Sequence, residues 1–225
     1  MIRARARLRA VGLDPYGRPT ATILYDPATL PAPGQALLAT PLLAPPAIPF
    51  SLYPIQLNPD GFRCLVPNGQ RWLPGDEIDL LGPIGRGFAP PERARRWLLV
   101  GADDGAGPLT PLIDAALASD AAVALTCPHP PADLAADVEL LASADEALDW
   151  ADYLAINLGS RPIADLRSLI GRPQPSEPPC PTDVLLPWDL PCGFGGCLSC
   201  GLPTSNGWKL ACRHGPVIPW GDLRV

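Results

Sequence analysis

Four of the seven cysteines lie close together near the carboxyl end of this 225-residue chain. Cys192, Cys197, Cys200 and Cys212 are spaced as C-x4-C-x2-C-x11-C, and the first gap, residues 193–196, reads Gly-Phe-Gly-Gly. Structural zinc sites prefer two short Cys-x2-Cys pairs, whereas C-x4-C-x2-C followed by a distant cysteine is the plant-type spacing for a [2Fe–2S] cluster. Glycine lets backbone N–H groups turn toward the cluster sulfur atoms. The pattern predicts a [2Fe–2S] cluster, with a zinc knuckle or buried thiols as alternatives.

The remaining cysteines do not indicate a disulfide framework. The total of seven is odd, and no apolar secretory segment follows the amino-terminal arginines. Cys64 and Cys127 lie in strand-like runs and are expected to be core thiols, whereas Cys180 lies among prolines. His129 and His214 are expected to be solvated, because one histidine beside the cysteines does not make a Rieske pair.

The composition limits the classes of protein to which the chain can belong. Apolar residues make up 47% of the chain and charged residues 18%, with 17 basic against 23 acidic side chains and a net charge of −6. Such a chain is too apolar to be disordered, and an acidic balance without a Lys/Arg block argues against nucleic-acid binding. Its apolar runs are interrupted before the ~18–20 residues of a membrane-spanning helix. The sequence predicts a soluble, cytoplasmic protein with no nucleic-acid or membrane partner.

Residues 1–92 carry the pattern of a small β-barrel. Arginine occupies every second position from residue 3 to residue 9, which is the period of a strand with one solvated face. A turn sequence at 14–17 and a strand-like run at 20–25 complete a predicted hairpin. Further Pro, Asn and Gly turns recur up to residue 75, and short strands between regular turns predict a barrel.

Residues 93–172 change to the pattern of a Rossmann-like parallel α/β domain. Two fully apolar runs, 97–100 and 121–125, flank a helical stretch from Pro108 to Ser119, as expected for strands covered on both faces. The later predicted elements are a helix opened by the Ser143–Glu146 capping box and running through about Trp150, a strand over 153–158, and a helix whose apolar face, Ile163, Leu166 and Ile170, ends at Gly171.

A proline-rich linker separates this domain from the cysteines. Five prolines fall within residues 173–181, and they remove backbone donors and fix the backbone, so the linker is placed at 173–183 and the cysteine module at 184–225. Trp188 and Trp208 flank the cluster loop, where they are expected to shield it or pack, the alternative being a partner surface. The predicted architecture is multi-domain β plus α/β: small barrel, parallel α/β domain, linker and [2Fe–2S] module.

The cysteine segment, CGFGGCLSCGLPTSNGWKLACRHGPVI, resembles the C-terminal cluster module of the electron-transfer subunit of type B dihydroorotate dehydrogenase. Residues 33–35, 49–52, 75–77 and 82–88 resemble upstream segments of the same family. That family consists of ferredoxin reductase-like flavoproteins with an FAD-binding β-barrel, a nucleotide-binding α/β domain and this module last. The resemblance implies an electron-transfer subunit, rather than a stand-alone enzyme, that passes electrons between NAD, FAD, its cluster and a partner in pyrimidine biosynthesis. The implied partner is an FMN-containing catalytic subunit that oxidises dihydroorotate, in a hetero-oligomer.

The resemblance also implies cofactor-binding residues in the two upstream domains. In the family an Arg-Pro-x-Ser strand holds the FAD, and its arginine pairs with the pyrophosphate. The implied flavin residues are Pro49, Phe50, Ser51 and Leu52, then Gly82, Pro83, Gly85, Gly87 and Phe88; the implied nucleotide residues are Gly105 and Gly107.

Two departures from the family pattern leave the functional alternatives open. Ile48 occupies the arginine position and cannot donate to phosphate, unless Arg63, Arg71 or Arg86 substitutes for it. Asp103 and Asp104 place two carboxylates in the nucleotide turn, where they are expected to cap the following helix instead of leaving room for a phosphate. One alternative is therefore a paralogue without FAD and NAD that relays electrons through its cluster. Another is a zinc-stabilised binding module.

Overall fold

A computed structural model describes residues 1–43, 45–46, 48–103, 106–171 and 177–224. Its first sheet has seven antiparallel strands in the order β4-β3-β7-β1-β2-β6-β5 and forms an amino-terminal half-barrel where the sequence predicted a small barrel. The strands are β1 (Ile2–Leu13), β2 (Pro19–Leu24), β3 (Ala36–Pro41), β4 (Phe50–Leu52), β5 (Pro54–Asn58), β6 (Gly61–Leu65) and β7 (Glu77–Ile84).

The alternating arginines form the solvated face of β1, as the two-residue period predicts. Arg3 binds the carboxylate of Asp79 on the neighbouring strand β7 at 2.7 Å, while Leu8, on the opposite face of β1, is buried in the barrel core. Exposed ion pairs of this kind contribute little to stability. Burial of the apolar face of β1 therefore fixes the register in which this strand pairs, and the arginines form the face that is in contact with water.

The second sheet has six strands in the order β10-β9-β8-β11-β12-β15, all parallel except for the edge strand β15. Its strands and main helices are β8 (Arg96–Gly101), α1 (Thr110–Ala118), β9 (Ala122–Thr126), β10 (Val138–Leu140), β11 (Tyr153–Asn157), α2 (Leu166–Leu169), β12 (Thr182–Leu185) and β15 (Val217–Pro219). None of the helices in the described part of the chain is long and apolar enough to cross a membrane.

The capping box at Ser143 is present, but the helix it opens is shorter than predicted. The Ser143 side chain and the Glu146 side chain make the two reciprocal bonds, yet only a 3₁₀ turn over Ala144–Ala147 follows. Beyond it the chain makes one further turn, in which the N–H groups of Trp150 and Ala151 both bond to the carbonyl of Ala147, and the N–H of Asp152 then bonds to the carbonyl of Arg96 on β8. The backbone must become extended at that point to enter β11.

The cysteine segment is enclosed by the second sheet instead of following it as a separate module. β12 pairs with β11 and crosses the predicted boundary between residues 183 and 184, and β15 returns to pair with β12 after the last cysteine. Between them lie the hairpin β13 (Gly201–Thr204) and β14 (Gly207–Leu210) and the short helix α3 (Ala211–His214). Residues 173–176 of the predicted linker lie outside the described residues, and the division into domains stays a prediction.

Gly85 lies where the end of β7 meets the cysteine segment. Its φ is +75°, and an added Cβ would overlap the carbonyl oxygen of Gly215, which also accepts the N–H of Arg86. We expect Gly85→Ala to destabilise the protein by about 2 kcal/mol or more, lowering the thermal midpoint by roughly 4 °C or more. Gly12→Ala is the matched control, because nothing lies within 4 Å of its added Cβ. Equal midpoints for the two variants would contradict this account of the joint.

Candidate functional site

The four predicted metal-binding cysteines are brought together by the loop that leads to β13 and by the first turn of α3. The thiols of Cys192 and Cys197 lie 3.3 Å apart, sulfur to sulfur. Cys200 and Cys212 are both buried, and the N–H of Cys212 approaches the sulfur of Cys200 at 3.5 Å. The donor set thus consists of two neighbouring pairs, and none of these cysteines forms a disulfide.

The glycine-rich loop directs backbone N–H groups at the sulfur of Cys192. Burial raises the pKa of this thiol, but hydrogen bonds from the N–H groups of Cys197, Phe194 and Gly196 outweigh it and lower the pKa to about 6. Gly193 has a φ of +71°, and an added Cβ would lie 2.9 Å from side-chain carbons of Ile84 and Leu38. The loop therefore needs glycine both for its conformation and for its close approach to the barrel.

In the second pair, the surroundings of Cys212 favour its neutral thiol. Burial, followed by the hydrogen bond and charge of Cys200 and the charge of Cys192, raises the pKa of Cys212 to about 12. Bound iron would reverse this preference, since a metal cation stabilises coordinating thiolates. Four thiols in two pairs, with N–H groups aimed at sulfur, match the donor set that a [2Fe–2S] cluster requires.

Three exposed apolar side chains, Phe194 and Leu198 in the cysteine loop and Trp208 on β14, form what we call the apolar rim. They are 60%, 66% and 76% exposed, respectively. Trp188 behaves differently, because it packs against two buried clusters and its carbonyl accepts the hydroxyl of Tyr53 at 3.3 Å. Only Trp188 thus meets the expectation that these tryptophans pack, whereas Trp208 is open to solvent.

A cavity of about 540 Å³ lies beside β4, the strand that the resemblance assigned to the flavin. Phe50, Ser51 and Leu52 line this cavity, and Pro49 directly precedes their strand. The hydroxyl of Ser51 accepts the N–H of Leu190 at 2.9 Å, two residues before the first cluster cysteine. The cavity and the cysteine loop are therefore joined by a direct contact.

The predicted flavin residues 82–88 are placed elsewhere, in the joint between the barrel and its neighbours. An added Cβ on Gly82 would overlap Leu37, and one on Gly87 would lie 2.5 Å from the carbonyl oxygen of Pro33. Gly85 packs on Gly215, and Phe88 packs against the α/β core. The structure does not bring Gly82, Pro83, Gly85, Gly87 or Phe88 to the lining of the cavity beside Ser51. A flavin role for them stays a prediction.

Asp103, in the predicted nucleotide turn, binds across the ends of two neighbouring strands and does not cap the next helix. Its carboxylate accepts the hydroxyl of Ser160 at 2.6 Å and the Nε of Arg161 at 2.8 Å, and these contacts hold its pKa below the usual range. The first residues of α1 have no side-chain cap, so the expected capping by Asp103 is wrong. Asp104 and Gly105 lie outside the described residues.

A second cavity, of about 560 Å³, is shared between the barrel and the loop after β9. Gly107, predicted to bind a nucleotide, lies in its lining together with Arg63. Arg86 instead faces Asp183, at 3.8 Å, on the other side of the joint. Arg18 lines both cavities and was not among the candidates from the sequence, although the preceding Asp14-Pro-Tyr-Gly turn is the local signal that could have identified it.

The two histidines and the other cysteines occupy different environments. His129 is half-buried and not solvated as expected, with Nδ1 3.1 Å from the carbonyl oxygen of Asp103 and its ring against that of Tyr16. His214 is exposed, and its Nδ1 accepts the N–H of Leu210. Cys64 is buried in the barrel, as expected, whereas Cys127 and Cys180 are half-buried.

Comparison with known proteins agrees with the predicted resemblance. Residues 190–224 match the family model of the iron–sulfur cluster binding domain of dihydroorotate dehydrogenase B. Electron transfer subunits of dihydroorotate dehydrogenase B (NAD(+)) from Bacillus cereus strain 03BB102 and Bacillus anthracis strain A0248 are 28% and 27% identical over 176 residues. Each match covers 66% of this chain and 66% of the relative, slightly less than two thirds of its length.

Solved structures confirm the fold class. The NADH-dependent reduced ferredoxin–NADP oxidoreductase, studied for flavin-based electron bifurcation, superposes with a TM-score of 0.74 at 20% identity, covering 97% of this chain and 89% of that one. The ferredoxin reductase of carbazole 1,9a-dioxygenase gives a TM-score of 0.62 at 19% identity, covering 77% of this chain and 67% of that one. The half-barrel, the parallel α/β sheet and the cysteine segment therefore share the ferredoxin reductase-like arrangement.

Proposed function

We propose that this chain is an iron–sulfur flavoprotein that acts as the electron-transfer subunit of a dehydrogenase. Cys192, Cys197, Cys200 and Cys212 hold a [2Fe–2S] cluster, and the cavity beside Ser51 takes an FAD. The observation that carries the proposal is the placement of the two thiol pairs directly after the segment that closes this cavity. The cluster and the flavin supply the redox chemistry when they are bound, and the protein supplies their positions.

The protein's own groups have distinct tasks in this proposal. The hydroxyl of Ser51, bonded to the N–H of Leu190, links the flavin strand to the segment that leads into the cysteine loop. The N–H groups around Cys192 stabilise negative charge on sulfur. Burial of Cys200 and Cys212 excludes water from the inner side of the donor set. These contacts set where the redox groups lie and how strongly charge is stabilised there.

The proposed partner is an FMN-containing catalytic subunit of the dihydroorotate dehydrogenase type, joined to this chain in a hetero-oligomer. The relatives with the matching cluster segment are named as electron transfer subunits of that NAD-dependent enzyme, which supports NAD as the outer electron carrier and pyrimidine biosynthesis as the pathway. The described cysteines are all free thiols, as is typical of proteins in the reducing cytoplasm. The chain moves electrons, and the partner carries out the carbon chemistry.

The apolar rim is the proposed contact surface for this partner, because its large apolar side chains are exposed in and beside the cysteine loop. We expect Trp208→Ser to weaken binding of the catalytic subunit about tenfold or more, since buried aromatic anchors dominate such interfaces. The measurement is titration calorimetry of the two purified subunits, with the cluster spectrum recorded on the same samples.

Leu73→Ser is the matched control for the rim variant. Leu73 is 64% exposed, as open as the rim, but it lies in the turn before β7 of the barrel. Its substitution is expected to leave the affinity unchanged. If Trp208→Ser bound the partner as tightly as the unaltered chain, the rim would not be the interface.

The proposed function is tested by anaerobic purification of the full chain, followed by a visible spectrum and by iron, sulfide, zinc and flavin counts on one sample. We expect two irons, two sulfides and one FAD per chain. Zinc without iron would contradict the electron-transfer function and support the zinc-stabilised binding module instead.

A second candidate, a cluster-bearing relay without FAD and NAD, is favoured by two observations. Ile48 is exposed at the position where the family has its phosphate-binding arginine, and Asp103 places a carboxylate in the nucleotide turn. Iron and sulfide in equal amounts with no flavin would support this candidate over the flavoprotein.

A further inference from the structure

The cavity beside Ser51 and the cavity between the barrel and the loop after β9 are neighbours. Arg18 and Ile55 belong to the lining of both, so these two side chains mark the junction. The cavities measure about 540 and 560 Å³, and each lies within the ordinary size range of small-molecule sites. A ligand with two bulky ends and a charged middle would therefore place its middle at Arg18.

Arg18 is held at this junction by a fixed carboxylate. Its Nε donates to Oδ2 of Asp14 at 2.6 Å, while Oδ1 of Asp14 accepts the N–H groups of Tyr16 and Arg18 at 2.9 Å each. The ring of Tyr16 lies 5.6 Å from the guanidinium carbon. The side chain of Asp14 is only 9% exposed and that of Arg18 is 27% exposed. This arrangement orders the arginine before any ligand arrives, which lowers the entropy cost of binding.

Arg63 brings a second cation to the cavity between the barrel and the loop after β9. It lies on β6 opposite Thr22, and one terminal nitrogen donates to the hydroxyl of Thr20 at 2.9 Å. The other titratable groups described in this lining are Tyr16, His129, Asp14 and Asp133. The lining thus has two arginines and two carboxylates, of which Asp14 is bound to Arg18.

We propose that Arg18 and Arg63 together bind the diphosphate of FAD in place of the arginine that is missing at position 48. This inference rests on the proposed function, because it assigns the flavin to the cavity beside Ser51. Guanidinium groups bind phosphate through charge-assisted, often bidentate hydrogen bonds. Arg18, in the turn before β2, and Arg63, on β6, supply the cationic contact that Ile48 cannot make. The phosphate contact therefore comes from two other places in the barrel.

The test is equilibrium binding of flavins to the full-length protein from which flavin has been removed, followed by the quenching of flavin fluorescence. The probes are FAD, which carries the diphosphate, and riboflavin, which carries no phosphate. We expect Arg63→Met and Arg18→Met each to weaken FAD binding about tenfold or more while leaving riboflavin binding unchanged. Arg71→Met is the control, since Arg71 lies outside the lining of both cavities, and its FAD affinity is expected to equal that of the unaltered chain.

The outcomes separate the inference from the proposed function. If FAD binds Arg63→Met as tightly as the unaltered chain, the inference is wrong even if Arg18→Met fails to fold. Equal losses of FAD and riboflavin binding in Arg63→Met would also overturn it, because they would show general damage to the cavity. If the unaltered chain binds neither FAD nor riboflavin, the flavin part of the proposed function fails with the inference, while the iron and sulfide counts still test the cluster.

Discussion

Replacement of Cys197 by serine is expected to abolish the visible absorption of the cluster and to reduce bound iron to a small fraction of the unaltered amount. The sulfur of Cys197 lies 3.3 Å from that of Cys192, and this pair supplies half of the four thiolates that a [2Fe–2S] cluster needs. Serine adds a hydroxyl that is far less acidic than a thiol and is a poor ligand for iron. The measurement is the visible spectrum with iron and sulfide counts on protein purified without oxygen.

Cys127→Ser provides the matched control for the cluster variant. Cys127 is a half-buried free thiol that packs at the margin of the α/β core, away from the four clustered cysteines. Its replacement is expected to leave iron content and spectrum unchanged. An unchanged spectrum in Cys197→Ser would remove this cysteine from the ligand set and, with it, the assignment of the four-cysteine pattern.

Local patterns in the sequence predicted several strands and the cluster segment, while the four-cysteine ligand set stays a prediction. The arginine alternation identified β1, the apolar runs identified β8 and β9, and the cysteine spacing identified a cluster segment that the family comparison confirms. Each of these signals is contained in about twenty neighbouring residues or fewer. Such signals reflect the two-residue period of a strand, the burial of a strand on both faces, or the spacing of ligands in a loop around a metal centre.

The contacts that define the site could not be predicted, because they join distant parts of the chain. Ser51 and Leu190 are 139 residues apart, and Asp103 and Arg161 are 58 residues apart. The return of β15 to the second sheet after the last cysteine likewise depends on a pairing with β12 that has no local signal. Arg18 follows a turn that the sequence does show, but only the folded chain places it between the two cavities.

The carboxylate of Asp103 occupies the kind of position at which dinucleotide phosphates bind in α/β proteins, at the carboxyl ends of neighbouring parallel strands. The carboxylate accepts hydrogen bonds from the hydroxyl of Ser160 and from the guanidinium of Arg161 at this position. Because those contacts hold its pKa below the usual range, the carboxylate is charged at neutral pH. A dinucleotide must therefore displace it from Arg161 and accept its repulsion.

Asp103→Ser is accordingly expected to tighten NADH binding about tenfold or more, because it removes a negative charge from the predicted nucleotide turn and frees Arg161 for the ligand. Titration calorimetry with NADH measures the change. Asp137→Ser, which alters the net charge equally at an exposed position in the loop before β10, is expected to leave the affinity unchanged. Adding Arg161→Met to Asp103→Ser is expected to cancel the gain. If Asp103→Ser bound NADH no more tightly than the unaltered chain, Asp103 would be a structural link between β8 and β11 and would not compete for the nucleotide.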